Sequence, residues 1–136
     1  MRIREYTPAD LDELRAIHAA QGFDYALPDL SNPLFVSKLV LTDDGGKRIT
    51  GAALLRLTAE AYLLLDPRAG TPRDRLNALL ALHAATERDA WRRGLEDVHA
   101  WLPSRVAERF GSRLERLGWV RDDAWTPYCK KLEAGR

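Results

Sequence analysis

Residues 61–94 leave this chain little freedom in what it can fold into: AYLLLDPRAGTPRDRLNALLALHAATERDAWRRG. The apolar run Tyr62-Leu63-Leu64-Leu65 stops at Asp66-Pro67, a turn signal, and reads as a buried strand. A loop follows at Arg68-Ala69-Gly70. Thr71-Pro72-Arg73-Asp74 then opens a long helix. Thr71 suits the N-cap, Pro72 the first helical position, and Asp74 answers back as the third residue. Gly94 ends the helix, after Arg92-Arg93 in its last turn. A strand that feeds a helix through a tight loop offers unpaired N–H groups at the positive end of a helix dipole. That is a physical anion site, often used for phosphate. Every helix start carries such donors, and most strand–helix connections bind nothing.

The segments on either side supply the rest of a single domain. The 136 residues suit one core, and 46% apolar with 30% charged residues describe a globular, soluble chain. A net charge of +1 gives no overall field for nucleic acid or an anionic membrane. Cys129 is alone, which excludes an internal disulfide and a thiolate metal cluster. No apolar run reaches membrane-spanning length, and Met1-Arg2-Ile3-Arg4 lacks the apolar core of a signal peptide. A reducing cytoplasm is the expected setting.

Arg2 to Tyr6 alternates polar and apolar residues, as a short half-buried strand does. Thr7-Pro8-Ala9-Asp10 repeats the helix-start chemistry of Thr71. Leu11, Leu14, Ile17 and His18 then share one helix face as far as Gln21-Gly22. His18 reads as a helix-face histidine rather than a catalyst. Residues 22–33 (GFDYALPDLSNP) are aromatic, acidic and turn-rich, with a short helical turn expected near Pro28-Asp29-Leu30. They form either plain surface loop or, through Phe23, Asp24, Tyr25 and Asp29, a pocket lining for an amine.

Leu34–Leu41 reads as a strand, Thr42 to Lys47 as a hairpin turn, and Arg48–Leu57 as the returning strand. Gly51 within it marks a bulge or a close backbone approach. With Tyr62–Leu65 running back, three antiparallel strands precede the long helix. Asp97–Leu102 is a further strand candidate. Pro103 and Ser104 start another helix, with Val106, Phe110, Leu114 and Leu117 as its apolar stripe. Arg105, Arg109, Arg113 and Arg116 form a second stripe. Glu108 and Glu115 on the same helix, and the near-zero net charge, favour a solvated face over a nucleic-acid grip. Gly118 stops this helix. Trp119-Val120 and Trp125–Leu132 read as final strands around a turn at Asp122-Asp123, and residues 134–136 as a tail.

This order of elements resembles the GNAT superfamily of acyl-CoA-dependent N-acetyltransferases, over nearly the whole chain. Three features carry the resemblance. One is the opening, Ile3 to Leu11 (IREYTPADL). Another is the strand–loop–helix of Tyr62–Gly94, in the place of the family's CoA-binding segment. The third is Leu114-Glu115-Arg116-Leu117-Gly118-Trp119, similar to the family's helix end before its last strand pair. The resemblance implies a single mixed α/β (α+β) domain with a mostly antiparallel central sheet flanked by helices.

Two departures bear on chemistry. The stretch comparable to the family's pyrophosphate loop, Arg/Gln-x-x-Gly-x-Gly/Ala, is Gly70-Thr71-Pro72-Arg73-Asp74-Arg75, which departs from it. It holds one glycine, Pro72 has no N–H, and Asp74 adds negative charge. Arg73 and Arg75 offset it through charge-assisted contacts. Leu114 stands where many family members carry a tyrosine that protonates the leaving thiolate. Tyr128 on the last strand is the distant substitute.

The resemblance implies transfer of an acetyl or other acyl group from acyl-CoA to the primary amine of a small molecule or peptide. Acetyl-CoA is the implied co-substrate, held by Leu65, Gly70, Thr71, Arg73, Asp74 and Arg75. Glu60, at the start of the strand that leads into the loop, is the implied base, with a solvated loop-end glutamate as the plainer reading. Tyr25, Asp29 and Trp101 are the residues expected at the acceptor. His83 and Glu87 lie four apart on the long helix and read as a surface pair or an oriented imidazole, without metal-ligand spacing. No nucleic acid or membrane is expected as a partner, and a homodimer is compatible with this reading. The alternative is a non-catalytic GNAT-like module that binds a protein partner or only an acyl-CoA.

Overall fold

The computed structural model describes residues 1–133. They form a mixed α/β structure with three helices, a three-stranded antiparallel sheet and a two-stranded parallel pair. The chain divides into two compact units, a first spanning residues 1–99 and a second beginning at Ala100.

In the first unit, β1 (Arg2–Glu5) pairs with β2 (Phe35–Thr42), and β2 with β3 (Ile49–Arg56). Thr7 caps a short 3-10 turn over Pro8–Asp10, and α1 (Leu11–Gln21) runs from it to Gly22, whose φ of 71° is open to glycine without strain. Helix α1 lays Leu14 onto the sheet, and Leu14, Leu30, Val40 and Ile49 make the core. Tyr6, Leu11, Ile17, Phe35 and Leu54 pack around it. Successive strand residues point to opposite faces, so Val40 and Thr42 are buried on the core side while Leu39 lies on the other face and stays exposed. On β1 the apolar residue follows that other face: Ile3 is exposed, and Arg4 turns toward Asp10 instead.

Two polar ties fasten the core. The Ile49 N–H donates to Glu13 Oε2 at 3.0 Å, joining β3 to α1. Lys38 Nζ donates to the Leu30 carbonyl at 2.8 Å and sits over the Tyr6 ring. The expected hairpin forms around Asp43, whose Oδ1 accepts from the Lys47 N–H at 3.0 Å. Leu41 opposes Gly51 and Thr42 opposes Ile49, so Thr50 is the extra residue of a bulge. Strand β3 borders the sheet, with β2 as its one strand neighbour among the described residues.

The third antiparallel strand is β1, not Tyr62–Leu65. Regular structure in that region is limited to β4 (Ala59–Glu60), which pairs in parallel with β5 (Val98–His99). After the Ala61 N–H donates to the His99 carbonyl at 2.7 Å, the pairing ends. Tyr62 and Leu64 are then exposed, so the expected buried strand is absent. A four-residue apolar run has no periodicity to separate a strand from other extended chain, and only pairing decides. The strand expected over Asp97–Leu102 shrinks to β5 for the same reason.

Helix α2 (Pro72–Arg92) starts and ends as the sequence dictates. Thr71 caps it with Asp74 in a reciprocal capping box, Pro72 opens it, and Gly94 follows at φ 75°. In the second unit, α3 (Ser104–Arg116) stops at Gly118, whose φ is 94°. None of its residues is buried, and Phe110, Leu114 and Leu117 are half-buried. The final strands expected at Trp119-Val120 and Trp125–Leu132 do not form among the described residues. Tyr128 and Leu132 are almost fully exposed there, and no neighbouring strand pairs with them. The tail at residues 134–136 lies outside the described residues.

Candidate functional site

The connection from β4 to α2 is built around two carboxylates, Asp66 and Asp74. Asp66 makes the first turn: its Oδ1 accepts from the Arg68 N–H at 2.9 Å, and its carbonyl from the Ala69 N–H at 3.2 Å. Gly70 follows at φ 63°, and a Cβ there would lie 2.7 Å from Asp74 Oδ2. Asp74 is the reason. Its Oδ2 accepts from the Thr71 N–H at 2.8 Å, while the Asp74 N–H donates to Thr71 Oγ1 at 3.1 Å. The Thr71 main-chain bond, with help from the Thr71 side chain and the Arg75 charge, holds the Asp74 carboxyl below the ordinary carboxylate range.

This accounts for most donors at the helix start. The Thr71 N–H serves Asp74, the Asp74 N–H serves Thr71, the Arg75 N–H serves the Thr71 carbonyl, and Pro72 has none. Among the described residues the Arg73 N–H and the Arg73 guanidinium have no partner. Arg75 Nη1 donates to the Gly70 carbonyl at 2.9 Å. Leu65, Asp66, Ala69, Gly70, Asp74 and Arg75 line a depression of about 270 Å³, together with Ala78. Four of the six residues expected at the cofactor therefore meet there: Leu65, Gly70, Asp74 and Arg75. The mouth of α2 already binds an anion, its own carboxylate, as the dipole and amides of a helix start favour.

Glu60 closes the β4 end of this connection. Its Oε1 accepts from Tyr62 Oη at 2.8 Å, and that bond pushes the Tyr62 phenol up from its ordinary range. In the parallel pair Glu60 is the register partner of His99. His99 Nε2 lies 3.7 Å from Asp97 Oδ2. Arg56 ties this group to β3, reaching Asp97 Oδ2 at 2.9 Å and Glu96 Oε2 at 3.2 Å. Asn32 donates to Glu96 from the 22–33 loop. Asp97 and His99 did not stand out as site residues in the sequence. Their signal was an Asp-x-His spacing on a strand candidate, which puts both side chains on one face.

The loop residues gather elsewhere on α1. Asp29 accepts from the Ser31 N–H at 3.0 Å and from Ser31 Oγ at 2.7 Å, which holds its carboxyl below the usual range. It lines a second depression of about 290 Å³ with Leu11, Arg15, Leu27, Pro28 and Leu30. Tyr25 is not among those lining residues; it packs edge-on to His18 and stacks on Phe23. His18 Nε2 is buried without a hydrogen-bond partner. Trp101 and Tyr128 belong to the second unit, where Trp101 is exposed and Tyr128 is 95% exposed. His83 and Glu87 form an i,i+4 pair at 3.8 Å on α2.

Among the described residues no three His, Cys, Asp or Glu side chains gather to hold a metal ion, and no helix is long and apolar enough to cross a membrane. No family model, curated protein or solved structure matches this chain.

Proposed function

We propose that this protein is an N-acyltransferase of the GNAT type, which moves an acetyl or other acyl group from acyl-CoA to the primary amine of a small molecule or peptide. The observation that supports the reading is the Asp74 carboxylate held on the Thr71 amide at the start of α2, at the far end of the connection that leaves the strand ending in Glu60. Parallel strands joined through a helix bind ligands at the carboxyl ends of the strands, and β4–α2–β5 is such a unit. In this reading the cofactor phosphates displace Asp74 and are held by Arg73, Arg75 and the released amides. The acyl arm runs along the depression beside Leu65. Glu60 takes the proton of the attacking amine, which otherwise stays largely protonated at neutral pH with a pKa of about 10.4. The reading rests on the first unit alone, and a cytoplasmic setting goes with it.

The same Asp74 contact favours a second reading, a GNAT-like binding module whose cofactor mouth is closed by its own side chain. Calorimetric titration with acetyl-CoA and CoA separates the two. The transferase reading expects micromolar binding by the wild-type chain and tighter binding by Asp74→Asn. Absence of binding at millimolar cofactor by both proteins overturns it and leaves the module.

A further inference from the structure

Acyl transfer needs two proton movements, and Glu60 accounts for one. A thiolate can leave unprotonated, but an acid at the sulfur speeds its departure, and Leu114, in the place of the family's usual acid, cannot supply that proton. We infer that His99 supplies it, as the acid partner of Glu60 on the adjoining strand; the inference rests on the acyltransferase reading and deepens it.

The geometry is that of the β4–β5 pair. Glu60 and His99 are register partners in a parallel ladder. Neighbours in register project from the same face, with their strands roughly 5 Å apart. One carboxylate and one imidazole therefore lie on the same face at the carboxyl ends of β4 and β5. The His99 side chain is 44% exposed, so a substrate can reach it. Asp97 Oδ2 lies 3.7 Å from His99 Nε2, near enough to favour the protonated imidazole by charge. Asp97 is itself fixed by Arg56, which Glu96 holds from its other side. The charged and titratable groups around the imidazole are thus Asp97 and Glu96 on its own segment, Glu60 and Tyr62 from the β4 side, and Arg56 from β3.

The reaction balances through these two groups. Glu60 relays the first proton of the ammonium to solvent; the neutral amine then forms a bond from its nitrogen lone pair to the thioester carbonyl carbon and gives its second proton to Glu60. The tetrahedral intermediate collapses, the C–S bond breaks, and its electron pair leaves on sulfur. The protonated imidazole of His99 gives its proton to that sulfur. Glu60 then passes its proton across the strand pair to His99, and both groups return to their starting states. The products are the amide and the free CoA thiol, with no other reactant consumed.

The test is steady-state acetyl transfer to a panel of primary amines, followed by release of the CoA thiol across pH, for the wild-type chain and for His99→Gln and His99→Asn. Circular dichroism confirms that each variant is folded. The expected result is a fall in kcat of roughly 10²-fold or more, an unchanged KM for acetyl-CoA, and loss of the high-pH limb that reports an essential acid. A purely structural role would not remove that limb. Wild-type turnover with both variants keeping kcat within about twofold and retaining the limb overturns the His99 role, and the acyltransferase reading survives. No wild-type turnover of any amine overturns the acyltransferase reading, and the His99 role falls with it.

Discussion

Arg4 grips Asp10 through two parallel hydrogen bonds of 2.8 Å, Nη1 to Oδ2 and Nη2 to Oδ1. Asp10 is only 6% exposed and also accepts from the Thr7 N–H at 2.7 Å. Burial alone would raise its pKa; the Arg4 hydrogen bonds outweigh that and lower it from 3.8 to about 2. A carboxyl depressed in the folded state adds stability above its unfolded pKa, and that stability is lost as pH falls through the folded value. The window here runs from about pH 4 down to about pH 2. Urea unfolding across that range should lose on the order of 1–2 kcal/mol through this group. Asp10→Asn should flatten that part of the pH dependence.

Leu14 is 4% exposed at the centre of the α1–sheet contact. Leu14→Ala should cost about 2–5 kcal/mol, the transfer free energy of the lost methyls plus the cavity left behind. Leu64, from the apolar run, is 89% exposed. Leu64→Ala should change stability by less than about 0.5 kcal/mol. Equal losses at the two sites, measured by chemical denaturation, would contradict the irregular course of residues 61–66.

Glu13 supplies the acceptor for the main-chain N–H of buried Ile49. Glu13→Ala removes that acceptor and should cost about 1–3 kcal/mol, the penalty of an unsatisfied donor. Glu13→Gln keeps a carbonyl oxygen in reach and should recover most of the loss. Denaturant midpoints of the two variants check this.

Gly70→Ala should destabilise the protein by about 1–3 kcal/mol, because the position has positive φ and the added methyl meets Asp74. Removing the obstacle should relieve part of that. In a double-mutant cycle, Gly70→Ala combined with Asp74→Ala should lose less than the sum of the single changes. Strict additivity would mean that the methyl and the carboxylate do not meet.

Helix starts and stops were the most readable features of this sequence, because each rests on local chemistry. Thr71-Pro72-Arg73-Asp74 closes its reciprocal capping box within four residues, and in Thr7-Pro8-Ala9-Asp10 the Asp10 carboxylate accepts from the Thr7 N–H in the same way. The Asp43–Gly46 turn and the bulge beside Gly51 were legible for the same reason. Strands were less so. Whether Tyr62–Leu65 or Trp125–Leu132 becomes a strand depends on a partner far away in the chain, and an apolar run does not encode one. The candidate site divides the same way. Leu65, Gly70, Asp74 and Arg75 converge because one short segment folds on itself. The neighbourhood of Glu60 and His99 is set by a pairing across 39 positions, from 60 to 99, that no local pattern announces.

Strand β3 ends the sheet with ITGAALLR, where Arg56 is the one charge and is already engaged by Glu96 and Asp97. Natural sheets defend such borders with lysine, proline or a cover, because an uncovered edge accepts any extended chain that reaches it. For the biochemist this becomes a matter of shelf life. A lysine at exposed Ala53 is the economical safeguard for a preparation to be stored.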